Sequence, residues 1–171
     1  MAAMMIRHFI FAFSMILFAG CRAGSNGPDM DVYLVRHAEK LLVEDDPGLT
    51  EWGHKRAETL ADILSSVDVT HIHSSDFIRT RDTAAPLAER LGIELEIYDP
   101  RDLPALAEKL NATGGVHLVV GHSNTTPPLV DLLGGDGGEP INEASEYDRL
   151  YIVSRKDGKI ASQLIRYGPP G

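Results

Sequence analysis

A single cysteine, Cys21, is present among 171 residues, so no internal disulfide can form. At this length a folded chain buries roughly two-thirds of the surface its unfolded form exposes, and neither a disulfide framework nor a structural metal is needed to hold it together. Positive charge is also scarce: 16 Lys and Arg stand against 25 Asp and Glu, for a formal charge of -9. Such a balance argues against a nucleic-acid surface, which is built from clustered cations. Any anionic ligand must therefore be caught by a local pocket of the few arginines. No uninterrupted apolar stretch reaches the roughly 20 residues that span a bilayer, and no internal repeat or second domain is visible.

The apolar residues that are concentrated lie at the start. Residues 1–20 hold 16 hydrophobic residues, one Arg and no acid, with Arg7 and His8 preceding the run from Phe9 to Phe18. A short apolar run behind a positive flank is the pattern of a secretory signal peptide. It ends in Leu17-Phe18-Ala19-Gly20-Cys21, which resembles the processing site of bacterial lipoproteins, where a cysteine is lipidated and becomes the new N-terminus. The division expected is a signal peptide over 1–20, a Gly/Ser/Asn/Pro-containing tether over 21–30, and one domain over 31–168. That reading places the domain outside the cytoplasm, anchored to a bacterial membrane through Cys21. Arg22 stands where an Asp favours inner-membrane retention, which points to the outer membrane in a two-membrane envelope.

Beyond the tether, short β-rich runs alternate with helical patterns. Strands are predicted at 32–35, 69–73, 93–98, 116–120, 150–154 and 159–166, and helices at 50–65, 81–91, 103–110 and 126–133. Asp157-Gly158 between the last two strands is a strong two-residue hairpin signal. Alternating strands and helices closed by a hairpin imply an α/β three-layer sandwich, with a mostly parallel central sheet, helices on both faces and an antiparallel edge. Trp52 is expected to anchor the core, and His54 and His117 to lie at the surface or at helix ends.

Ligands of such sheets bind at the carboxyl ends of the strands. The first strand there runs into Arg36-His37, the second into Ser74-Ser75-Asp76 with Arg79 beyond, and the fourth into Gly121-His122-Ser123-Asn124. Two arginines supply planar forks of N–H donors suited to phosphate oxygens. A histidine beside such charges is kept unprotonated and free to act as a nucleophile. Phosphoryl transfer needs in-line positioning and charge neutralisation, and Arg36, His37, Arg79 and His122 can provide both. No metal and no cofactor is called for.

These motifs are similar to those of the histidine phosphatase superfamily, also called phosphoglycerate mutase-like, and to its short single-domain phosphatases. The segments are VYLVRHAEK, GLTEWGHKRAETLA, HSSDFIRTRDTAAPLAERLG and LVVGHSNT, running from residue 32 to 126 in the family's order. The resemblance implies a phosphoric monoester hydrolase with His37 as the phosphorylated nucleophile, and Arg36, Arg79 and His122 binding the transferring group. Lys40 and Asn124 adjoin the motifs and are expected at phosphate or substrate. The implied partner is a small phosphorylated molecule or a phosphoprotein; the oligomeric state is not legible.

Ala38 replaces the family's usual Gly after the Arg-His pair. The insertion that carries a proton-donating Glu in the mutase branch is absent, which argues against mutase activity. Asp99, Asp102 and Glu39 stand as candidate donors in its place, each with an alternative as a turn, cap or solvated charge. A tethered, non-catalytic binder of phosphorylated ligands is the main alternative. A serine esterase built on Ser123 is disfavoured, because no histidine follows His122. A metal site on His71 and His73 is disfavoured for want of joining carboxylates. The loops 41–47 and 134–147 are expected to shape specificity.

Overall fold

The computed structural model describes residues 27–42 and 45–168. Ten elements follow one another: β1 (Met30–Arg36), α1 (Glu51–Leu64), β2 (His71–Ser75), α2 (Ile78–Leu91), β3 (Leu95–Tyr98), α3 (Leu103–Thr113), β4 (Gly115–Gly121), α4 (Thr126–Leu132), β5 (Arg149–Lys156) and β6 (Lys159–Arg166). They form one six-stranded sheet in the order β3-β2-β4-β1-β5-β6. The pairs β1/β4, β2/β4 and β2/β3 are parallel, while β1/β5 and β5/β6 are antiparallel. This is the mixed α/β architecture expected from the alternating pattern.

Period-two alternation on the strands feeds two cores. Met30, Val32 and Leu34 of β1 face Leu106 and Leu110 of α3 and Leu129 and Val130 of α4. Val35 joins Leu60 and Leu64 of α1, Ile72 of β2, Leu87 of α2 and Leu118 and Val120 of β4 in the other. The sheet is thus covered on both sides, as parallel strands require. Thr50 caps α1 by accepting from the Gly53 amide at 3.0 Å. Asp157 and Gly158 both take positive φ, as the two-residue hairpin turn demands.

Several expectations are corrected. The second strand lies two residues later, at 71–75, because Thr70 bonds the Val116 carbonyl through both its amide and its hydroxyl and enters the ladder only afterwards. Ser74 and Ser75 are consequently buried strand residues. The second helix starts at Ile78, three residues early, which moves Arg79 into its first turn. Trp52 does not anchor the core: it is 62% exposed, on the outer side of α1 beneath Lys55. His117 is buried rather than superficial, its Nε2 2.7 Å from the Gly114 carbonyl and its Nδ1 3.1 Å from Nε2 of His73. Among the described residues, no group of three or more His, Cys, Asp or Glu is arranged to hold a metal.

The end of the expected tether belongs to the folded body. Met30 is buried at the start of β1, and the Pro28 carbonyl accepts from Arg155 at 2.8 and 3.0 Å. Residues 1–26, with the apolar run and Cys21, lie outside the described residues. Among the described residues no helix is long and apolar enough to cross a membrane.

Candidate active site

Register brings the site together. Arg36 at the end of β1 pairs with Gly121 at the end of β4, and Ser74 of β2 pairs with Val120. His37 and His122 therefore leave the sheet side by side, next to Ser75, the last residue of β2. The His37 amide donates to the Gly121 carbonyl at 2.9 Å, and the imidazoles of His37 and His122 are 5.5 Å apart, edge to face. Gly121 is required by crowding: a Cβ there would come within 2.9 Å of both the Thr125 hydroxyl and the Tyr98 hydroxyl. Thr125 uses that hydroxyl to accept from the His122 amide at 2.9 Å, which fixes the turn into α4.

His37 is 3% exposed, and its Nδ1 lies 2.7 Å from the Ala38 carbonyl. A carbonyl only accepts, so Nδ1 carries the hydrogen and Nε2 presents a bare lone pair. Burial, reinforced by the charges of Arg36, His122 and Arg79, lowers the His37 pKa to about 3, against the opposing pull of the Ala38 bond. His122 is lowered to about 4 by burial and by the charges of Arg79 and Arg36. Both imidazoles are neutral at physiological pH, the state a nitrogen nucleophile needs.

The two guanidinium groups are held by different means. Arg36 is buried, with Nη1 donating to the carbonyls of Asn142 and Glu146 at 3.3 and 3.0 Å and Nη2 to that of Glu143 at 2.8 Å. The ring of Tyr147 lies 4.1 Å from its Cζ. Arg79 donates from Nη1 to Asp46 at 3.3 Å and stacks on Phe77 at 4.4 Å. Asp46 also accepts from the Ile78 amide at the start of α2. In both arginines Nε is buried without a partner. Buried N–H donors left unpaired cost about 1–3 kcal/mol each, and the charges of both arginines act on the two imidazoles.

The cavity at this point, about 510 Å³, is bordered by His37, Lys40, Phe77, Arg79, His122 and Asn124, with Asp45 and Glu143 as its carboxylates. Lys40 and Asn124 thus share one cavity with His37, His122 and Arg79. Arg36 does not border the cavity, although its charge acts on both histidines. Ser123 borders it too, but makes no hydrogen bond to a histidine among the described residues, as an activated serine would require.

The three candidate proton donors are not in this cavity. Glu39 is turned to Arg56, accepting from its Nε at 3.0 Å and its Nη2 at 2.7 Å. Asp102 caps α3 through the Ala105 amide at 3.1 Å. Asp99 borders a neighbouring cavity and is clasped by Arg101, which holds it down at about 2. A turn, a cap and an ion pair account for all three, and the carboxylates that border the cavity are those of Asp45 and Glu143. Both lie in the loops 41–47 and 134–147, which the sequence marks as loops without a motif to single out a residue. The carbonyl cradle of Arg36, Tyr147 and the Arg79–Asp46 pair were missed for the same reason. Ser75, by contrast, lay inside a motif already singled out.

Residues 32–103 match the family model "Histidine phosphatase superfamily (branch 1)". A 79-residue stretch is 39% identical to the "Probable phosphoglycerate mutase GpmB" of Photorhabdus laumondii, covering 42% of this chain and 36% of that protein. The match thus spans about a third of the length of that curated relative. Among solved structures, the protein histidine phosphatase SixA complexed with tungstate superposes with a TM-score of 0.64 at 19% identity, over 80% of this chain and 97% of that one. The mycobacterial glucosyl-3-phosphoglycerate phosphatase gives 0.61 at 16%, over 81% and 98%. At these identities the structural likeness speaks for the fold.

Proposed function

The chain belongs to the histidine phosphatase superfamily, and on that premise we propose that it is a metal-independent phosphomonoesterase working through a phosphohistidine on His37. The observation that carries this reading is the buried imidazole of His37, its Nε2 left bare by the Nδ1 bond to Ala38, bordering one cavity together with His122 and Arg79. The lone pair of His37 Nε2 attacks phosphorus, the bond to the ester oxygen breaks, and the leaving alcohol takes a proton. Water then attacks the phosphoryl group, the P–N bond breaks, and inorganic phosphate leaves with His37 restored. The two arginines neutralise charge on the equatorial oxygens, the main demand of a phosphoryl-transfer transition state.

The substrate is a phosphorylated small molecule or a phosphoprotein. The SixA neighbour is a protein histidine phosphatase and the mycobacterial neighbour a glucosyl-3-phosphoglycerate phosphatase, and the loops bordering the cavity supply groups of both charges. Hydrolysis of an aryl phosphate in excess chelator, with inhibition by vanadate as a transition-state mimic, is the expected behaviour. Activity lost to chelator and restored by zinc or manganese would overturn the mechanism. Tight phosphate binding without any turnover would leave a non-catalytic binder.

The location follows from the N-terminal segment. The apolar run 9–18 ending before the sole cysteine supports a lipoprotein of the bacterial cell envelope, facing extracytoplasmic phosphoesters. Several acyl chains, at about 0.8 kcal/mol per buried CH₂, would anchor it stably. Wild type should incorporate labelled acyl groups and sediment with membranes, and Cys21→Ser should not; a freely soluble, unlabelled wild type would reject the anchor.

A further inference from the structure

Behind His122 lies a polar chain for which the reaction so far has no use. Ser75, fully buried at the end of β2, places Oγ 2.9 Å from Nε2 of His122 and 3.1 Å from Oγ1 of Thr80. Thr80, also fully buried, lies with its hydroxyl 2.8 Å from the Ser75 carbonyl and 2.9 Å from that of Phe77. Carbonyls accept only, so the Thr80 proton has a short bond to them. Ser75 then gives its own proton to Thr80 Oγ1 and is left facing His122 with a lone pair. The Tyr98 hydroxyl also bonds Ser75, but its own proton goes to the Val120 carbonyl at 3.2 Å, so the donor that fits the remaining lone pair is the imidazole.

We propose that Ser75, backed by Thr80, is a positioning residue that holds His122 as its Nε2–H tautomer and turns Nδ1 toward the phosphoryl group. Nδ1 of His122 makes no hydrogen bond among the described residues, and His122 borders the cavity. A bare nitrogen would repel phosphoryl oxygens, so His122 takes up a proton at Nδ1 when an anion binds. Both of its N–H groups are then spent, one on Ser75 and one on the anion. The neutral free state and the charged bound state thus differ by one proton at one named atom. The groups facing this ring are Arg36, Arg79, His37, Phe77, Ser75 and Thr125. Burial, with the two cations Arg79 and Arg36, explains why the proton is absent before an anion arrives.

The inference deepens the phosphatase reading but is tested without turnover. Nitrogen-15 spectra of the imidazoles in the full chain should show His122 as Nε2–H alone, and inorganic phosphate or vanadate should add a proton at Nδ1. In Ser75→Ala the two neutral tautomers should mix. With an aryl phosphate, kcat in that variant should fall on the order of tenfold, the worth of one hydrogen bond, with KM changed less and the acidic limb of the pH profile displaced. Ser75→Thr, which keeps the hydroxyl, should restore the tautomer and most of the rate. A wild-type His122 protonated at Nδ1 in the anion-free state would overturn the proposal, as would Ser75→Ala with unchanged tautomer and pH profile. If Ser75→Ala does not fold, the wild-type spectrum still decides. The predicted tautomer in a protein that hydrolyses no phosphoester would spare this inference and defeat the phosphatase reading instead.

Discussion

Replacing His122 by Gln should make the protein markedly less sensitive to acid. His122 is lowered to about 4 in the folded state from an ordinary value of 6.5, by burial and by Arg79 and Arg36. Between these two values the unfolded chain binds a proton that the folded chain refuses. Stability contributed by the neutral ring is complete above the unfolded value and is lost as pH falls toward the folded one. From about pH 8 to about pH 5 the loss is about 2 kcal/mol for this one group, by linkage. His37 and His73 are depressed to about 3 and about 4 and carry the same sign, so wild type should lose more than this in total. Urea unfolding at both pH values, in buffer free of oxyanions, measures the loss. His122→Gln should lose about 2 kcal/mol less than wild type over that interval, whatever its offset at the higher pH. An equal loss in both proteins would mean that His122 is protonated, or solvated, in the folded state. The case for a cationic pocket that keeps its histidines neutral would then fail.

Four further outcomes follow from the same geometry. Arg79→Lys should lose on the order of 100- to 1,000-fold in rate on an aryl phosphate, because a point charge cannot replace a preorganised fork; wild-type kinetics with an unchanged melting curve would remove Arg79 from the site. Vanadate at roughly 100 times its dissociation constant should stabilise wild type by about 2.7 kcal/mol in a thermal-shift assay, and Arg79→Met should show little of this. Arg56→Ala should destabilise by about 3–5 kcal/mol in urea titration, since Arg56 is buried between Glu39 and the Tyr167 carbonyl. Of the cavity's carboxylates, one supplying the leaving-group proton should, as Asp45→Asn or Glu143→Gln, depress alkyl phosphate turnover far more than aryl. Equal effects on both substrates would leave the proton to water or to the substrate.

The elements of the sheet were legible because each strand and helix carries its own periodicity, and the convergence of the candidate residues because they lie at strand ends that register aligns. Arg36, His37 and His122 come to one place through the pairing of β1 with β4. The carboxylates of the cavity were legible only as parts of the loops 41–47 and 134–147. Asp99, Asp102 and Glu39 were chosen for nearness in sequence to the motifs, whereas local turn, capping and ion-pair chemistry claims each of them. Asp45 and Glu143 reach the cavity from loops whose course depends on tertiary contacts, such as the grip of three loop carbonyls on Arg36. Trp52 misled for a related reason: its helical spacing fits the apolar stripe, but it lies in the first turn of α1, beyond the rim of the core. His117 misled in the opposite direction, since a neighbouring histidine and a backbone carbonyl satisfy a polar ring that spacing alone would leave outside.

The central claim is that His37 Nε2 carries the phosphoryl group, and rapid quenching with labelled aryl phosphate tests it most directly. The account predicts one acid-labile, base-stable adduct mapping to His37, formed at a rate no slower than turnover and absent, together with turnover, in His37→Ala. An adduct on Ser123, or full turnover by His37→Ala, would contradict it.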